Sequence, residues 1–132
     1  MYGRDVVCSG KVETTIEVNQ GETFLYRTQP KTKTRCAVTY TKGEKCSGLE
    51  FSCSKFNVKN TKKSCGKQDR MIVTADGQKK KFCKKKSPKM TALSSLKVVW
   101  FGRKGSSSRA KCSVTCVGSS ETTTTGLSNI NF

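Results

Sequence analysis

The chain has 132 residues, with 26 Lys and Arg against nine Asp and Glu, no histidine and a formal net charge of +17. That length suits one domain whose core is small enough to benefit from cross-links, and eight cysteines are available to make them. Without histidine, and with few carboxylates, the usual nucleophile and base pairs of enzymes are missing, so a non-enzymatic protein with an acidic partner is expected.

Residues 12–18 alternate, with Val12, Thr14, Ile16 and Val18 on one side and Glu13, Thr15 and Glu17 on the other, which predicts a half-buried strand. Asn19-Gln20-Gly21 supplies a turn, and residues 23–26 read as a second strand. Pro30 breaks the pattern, and residues 31–35 form a polar connector. Residues 36–40 resume the period of two and close at Lys42-Gly43, after which Leu49, Phe51 and Cys53 share one face of the next strand. Residues 71–74 form a short strand ending at Asp76-Gly77, a strong turn signal, and a strand through Lys79 and Lys81 ends at Cys83. Residues 95–101 and 110–117 supply the last two strands, separated by the loop 102–108.

Many short strands at regular spacing with no amphipathic helix argue for an all-β sandwich or barrel. Residues 118–132 have the composition of a linker, so a single domain over 1–117 and a flexible Ser/Thr-rich tail over 118–132 are expected. No apolar run is long enough to span a bilayer, and Met1-Tyr2-Gly3-Arg4 lacks the apolar core of a signal peptide. The expectation is a mature secreted, extracellular form without its leader.

The cysteines support that compartment, because with no histidine and no Cys-x-x-Cys pair they read as disulfides and not as zinc ligands. Four bonds are the default count. Cys112 and Cys116 share one face of a strand roughly 13 Å apart at ~3.3 Å per residue, too far for the ~7 Å limit of a disulfide. Each therefore reaches another strand. Cys46 and Cys53 flank the strand containing Leu49 and Phe51, and an antiparallel neighbour would match Cys53 with Cys112 and Cys46 with Cys116. Spacing prunes the pairings that eight cysteines allow without selecting one.

Taken in order, Cys8-x-Gly10, Cys36 opening an apolar strand, Phe51-x-Cys53-x-x-Phe56-x-Val58, Cys65, Asp76-Gly77, Phe82-Cys83, Pro88 and Leu96-x-Val98-x-Trp100 resemble a CUB domain over most of residues 8–117. The chain is also similar to the cysteine-enriched CUB variants of secreted invertebrate proteins, which place additional cysteines where Cys53 and Cys112 stand. This resemblance implies a two-sheet, jelly-roll-like β-sandwich with Cys8 paired to Cys36 and Cys65 to Cys83. Many CUB domains also hold calcium through acidic side chains, and calcium takes about six oxygens. Here Lys59 follows the Phe56-x-Val58 strand, and Gly102 or Arg103 stands just past the strand of Trp100 where acids would be expected. Only Asp69, one residue out of register, remains as a possible ligand, so no calcium site and no other metal or cofactor is expected.

The charge is uneven, for residues 1–53 carry eight cations against six acids and residues 54–117 carry eighteen against two. Its densest part is the run Lys79, Lys80, Lys81, Phe82, Cys83, Lys84, Lys85, Lys86. Lys79 and Lys81 project together from a strand with Lys80 and Phe82 opposed, while Lys84, Lys85, Lys86 and Lys89 follow in a loop. A Cys65–Cys83 bond would bring Lys62, Lys63 and Lys67 to the same neighbourhood, completing a candidate polyanion-binding patch of ten lysines. Lysine is a solvated point charge, so binding of low specificity and strong salt dependence is expected. Heparin-like sulfated glycans, lipopolysaccharide or other anionic polysaccharide or lipid head groups of microbial surfaces all qualify, which suits a role in innate immunity. The alternative is a protein-interaction or protease-accessory module whose basic face steers an acidic protein partner, and it requires an apolar patch near the lysines. Nucleic acid is disfavoured by the scarcity of stacking aromatics and by the cysteines. A charge run can also be a solvated face with no ligand.

Overall fold

The structure is a computed structural model that describes residues 5–58, 69–84 and 86–119. Ten strands form it: β1 (Val6–Cys8), β2 (Gly10–Val18), β3 (Thr23–Thr28), β4 (Thr34–Lys42), β5 (Cys46–Asn57), β6 (Arg70–Ala75), β7 (Gln78–Phe82), β8 (Lys89–Ala92), β9 (Ser95–Gly102) and β10 (Arg109–Ser119). They pack as a sandwich of two five-stranded sheets, the first in the order β1-β3-β10-β5-β8 and the second β2-β4-β9-β6-β7. No helix occurs among the described residues, so none is long and apolar enough to cross a membrane. The all-β sandwich expected from the alternating pattern is the architecture observed.

The period of two decides what faces inward. On β9, Leu96, Val98 and Trp100 are buried while Lys97 between them is exposed, and on β6 Met71, Val73 and Ala75 point the same way. Tyr26, Phe51, Leu49 and Val114 meet them from the first sheet. Aromatic packing is edge-on, with Phe56 against Trp100 at 6.5 Å and Tyr26 against Phe51 at 6.4 Å between ring centres. The Tyr26 hydroxyl donates to the Cys36 carbonyl at 2.7 Å, so that buried phenol is satisfied across the two sheets.

At Gly10, where φ is +70°, the chain crosses from the first sheet to the second, and β1 and β2 become parallel edge strands beside β3 and β4. The Cys8–Cys36 disulfide therefore joins the sheets, whereas Cys46–Cys116 and Cys53–Cys112 both tie β5 to β10 within the first sheet. Cys83 is disulfide-bonded as well, and the expected pair Cys65–Cys83 involves Cys65, which lies outside the described residues.

Boundaries differ from the sequence expectation at several points, among them Thr34, which opens β4 inside the expected connector 31–35. The short β1 and β8 are additional strands, stabilised by pairing with β3 and β5 and too brief to show a period of their own. Lys89 opens β8 and does not belong to the loop that precedes it. Strand β10 continues to Ser119, two residues past the expected end of the domain at 117, because it stays paired with β5 as far as Cys46.

Register also fixes which connections share an end of the sandwich. Strands β4 and β6 begin where β7 and β9 end, with Thr34 opposite Gly102, Arg70 opposite Phe101 and Met71 opposite Phe82. The connections 29–33 and 103–108, and the described residues next to the end of β5, the start of β6 and the end of β7, therefore gather at one pole, and the connections 19–22, 43–45, 76–77 and 93–94 at the other. Described residues of the first group supply Lys31, Lys33, Lys84, Lys86, Arg103 and Lys104 with the single acid Asp69, whereas the second supplies Glu22, Glu44 and Asp76 with the single cation Lys45.

Candidate anion-binding face

The lysine run is displayed by a tight hairpin. Asp76 and Gly77 have φ of 49° and 85°, the left-handed pair that a two-residue turn requires, and Ala75 faces Gln78 across it. From there the register sets Lys79 opposite Thr74 and Lys81 opposite Ile72 on the outer face, and Lys80 opposite Val73 on the other. Phe82, opposite Met71, is partly buried against the core. Lys79, Lys80 and Lys81 are all exposed, because β7 is the edge of its sheet, and so are Lys84, Lys86 and Lys89. Lys62, Lys63, Lys67 and Lys85 lie outside the described residues.

Asp76 does more than make the turn. Its carboxylate accepts the backbone N–H groups of Leu93 at 2.6 Å, Ser94 at 2.9 Å and Ser95 at 3.3 Å, and the Ser94 hydroxyl at 2.9 Å. Those donors, the Leu93 and Ser94 amides foremost, pull its pKa from 3.8 to about 2 and clasp the hairpin to the β8–β9 connection.

Beside the hairpin, the outer face of the second sheet carries cations that the sequence reading did not identify. Lys11, Arg35, Phe101 and Arg70 are consecutive cross-strand neighbours on β2, β4, β9 and β6, and Lys97 lies between Thr39 and Thr74 two pairs further along β9. The Arg70 guanidinium stacks on the Phe101 ring 4.0 Å from its centre, and that of Arg35 stands 5.9 Å away from the adjacent strand. Arg35 also meets Glu13 at 3.9 Å, both side chains being substantially exposed. The row opens into a cleft of about 630 Å³ lined by Gly10, Lys11, Lys33, Thr34, Arg35, Arg70, Phe101, Gly102, Arg103 and Lys104. Six of these ten residues are cationic and none is acidic. Alternation of Lys97, Val99 and Phe101 marks their shared face in the sequence, but only non-local pairing brings Lys11, Arg35 and Arg70 beside them. On the outer face of the first sheet a second cleft, of about 730 Å³, collects Arg27, Lys55, Arg109 and Lys111 around Phe56, Asn57 and Pro30.

Asp69 anchors Arg103, one of the residues that line the cleft. Burial alone would raise its pKa, yet the Arg103 side chain, the Ser106 and Ser108 hydroxyls and the Arg103 amide together hold it below the ordinary value. Arg103 donates to Oδ1 from its backbone N at 2.9 Å and from Nε at 3.0 Å, and the Ser106 hydroxyl donates to Oδ2. The guanidinium thus occupies the one carboxylate that calcium could have used. A cation at this position would face a fixed positive charge, so the described residues do not fit calcium. The same contacts fix the 103–108 connection, which is tied in turn to 29–33 through Lys31 N–H to the Ser106 carbonyl at 2.6 Å and Gly105 N–H to the Lys31 carbonyl at 3.0 Å.

No protein-family model and no curated protein matches the chain. Solved structures do resemble it. Against the CUB1-EGF-CUB2 region of human MASP-1/3 the TM-score is 0.59 at 14% identity, over 84% of this chain and 43% of that one. The CUB1-EGF-CUB2 domains of rat MASP-1 give 0.56 at 14% identity, over 78% of this chain and 42% of that one. For the full extracellular region of zebrafish Gpr126/Adgrg6 the figures are 0.56 and 12%, over 85% of this chain and 14% of that one. The chain therefore spans less than half the length of each of these structures. With two five-stranded sheets, disulfides within and between them and these neighbours, the chain has the fold of a CUB domain.

Proposed function

We propose that this protein is a secreted, non-enzymatic binding module for anionic polysaccharides or anionic lipid head groups, held through Lys79, Lys80, Lys81, Lys84, Lys86 and the basic face beside them. The observation that carries this reading is the gathering of cations from separate parts of the chain onto one pole and one sheet face, with Glu13 and Asp69 there each paired to an arginine. Confined there, the charges repel one another unless an anion lies across them, and the disulfides oppose that repulsion. Disulfides in this number also suit an extracellular setting.

The protein-partner alternative calls for an apolar patch beside the lysines. Among the described residues the exposed large apolar side chains are Val7, Leu93 and Val117, none of them on β6, β7 or β9, which favours the polyanion reading. Edge-strand lysines also block sheet-to-sheet pairing between molecules, and that role alone would account for β7 without any ligand.

A salt titration of binding to heparin and to lipopolysaccharide separates these readings. The wild type is expected to lose affinity steeply with salt. The variant with Lys79, Lys80, Lys81, Lys84, Lys85 and Lys86 changed to Ser is expected to bind more weakly with a flatter slope. A variant that binds like the wild type but self-associates would reduce the lysines of β7 to edge protection.

A further inference from the structure

We infer that the cleft around Phe101 is a seat for a sulfate ester carried on a polysaccharide, with Arg35 and Arg70 as its specificity-determining residues. The inference rests on the polyanion reading above and adds a geometric site to it, since exposed lysines supply attraction without orientation. Strands β4 and β6 flank β9, so the two arginines reach the Phe101 ring from opposite sides, Arg70 at 4.0 Å and Arg35 at 5.9 Å from its centre. A guanidinium resting on a ring loses little further freedom on binding, and its five N–H donors let it keep an existing contact while it meets an oxyanion.

Cations reach the same cleft from other directions too, Lys11 from β2, Lys33 from the connection before β4 and Lys104 from that after β9. A carboxylate offers two oxygens in one plane and satisfies a single fork. A sulfate ester offers three terminal oxygens in a tetrahedral array, which suits donors converging from several strands. Glu13 competes for Arg35, but through an exposed contact at 3.9 Å that an oxyanion can displace.

A polymer is favoured over a bilayer because the one aromatic in the cleft lies against guanidinium, and none of the exposed large apolar side chains, Val7, Leu93 and Val117, lines it. Lys97 lies four residues from Phe101 on the same face of β9, roughly 13 Å at ~3.3 Å per residue, with Lys79 across β6 from it. Successive sulfates on one extended chain reach both.

The test uses a size-defined heparin octasaccharide, the same octasaccharide with its sulfates removed and its carboxylates kept, and anionic phosphatidylglycerol vesicles. Changing Arg35→Lys and Arg70→Lys together keeps every charge and removes both forks. The expected result is about a tenfold loss for the sulfated octasaccharide with the salt slope unchanged, and a fall in the sulfated-to-desulfated affinity ratio. Lys79→Ser with Lys81→Ser should instead flatten the slope, with a smaller fall in the ratio than the arginine variants show. Each single arginine variant should carry part of the loss, which preserves the test if the double variant folds poorly. An unchanged affinity and ratio in the arginine variants overturns the seat and leaves the polyanion reading standing. Tighter wild-type binding to the vesicles than to the octasaccharide also overturns it, and failure of the wild type to bind any of the three overturns both.

Discussion

Asp69 and Asp76 are the acids of a segment otherwise crowded with lysine, and both are engaged inside the fold. Asp69 is fully buried against an Arg103 side chain that is 45% exposed. Replacing Arg103 with Ala removes the charge that faces this carboxylate, and denaturant unfolding should register a loss of about 2 kcal/mol, less than a fully buried pair costs because water already screens one partner. A loss near zero would mean that the Ser106 hydroxyl and the backbone amide suffice. Both carboxyls are held below their ordinary pKa, so the stability they contribute is complete above pH 4 and is lost as pH falls through the folded-state values. For Asp76 that window runs from about 3.8 down to about 2. Acid titrations of stability should therefore fall less steeply between pH 4 and 2 in Asp76→Asn than in the wild type. Parallel curves would remove the role of its amide contacts.

The β6–β7 hairpin shows what local sequence can specify. Its turn was legible in Asp76-Gly77, and the alternation of Lys79, Lys80 and Lys81 gave the faces that the register with Thr74, Val73 and Ile72 now displays. Gly77, at φ 85°, carries that geometry, and a Cβ there would meet no atom, so the cost of Gly77→Ala is conformational, about 1 kcal/mol. Hydrogen exchange should speed up along β7 in this variant and stay unchanged in β5 and β10. Uniform acceleration would mean that the hairpin does not open by itself. Gly102 is constrained differently, since a Cβ would stand 2.8 Å from the Trp100 indole nitrogen, and Gly102→Ala should disturb the floor of the cleft. The paired strands β5 and β10 were equally readable, because Cys53 and Cys112 share a face and now stand directly opposite. Removing that disulfide by changing both cysteines to Ser should cost about 3 kcal/mol, since Cys46–Cys116 still closes the same 59-residue separation from outside. Strands β1 and β8 were not legible, as three or four residues cannot show a period and both exist through their partners.

At the scale of the whole molecule, the sequence revealed how much positive charge there is but not its shape. A count along the chain pointed to residues 54–117, and the lysine run drew attention to β7. The face that joins Lys11, Arg35, Arg70 and Lys97 depends on non-local pairing, for β2 and β9 are far apart in the chain and are brought onto one face by their separate pairing with β4. Because the loops alternate between the two ends, the described residues also give the molecule a basic pole and a mildly acidic one, a dipole that would orient it toward an anionic surface before contact. The most direct test of this account is lysine acetylation followed by mass spectrometry, with and without heparin at physiological salt. Lys11, Lys33, Lys79, Lys81, Lys97 and Lys104 should be protected, while Lys42 and Lys45 at the opposite pole keep reacting. Equal protection at both poles, or protection of Lys42 and Lys45 instead, would contradict the assignment of binding to this face.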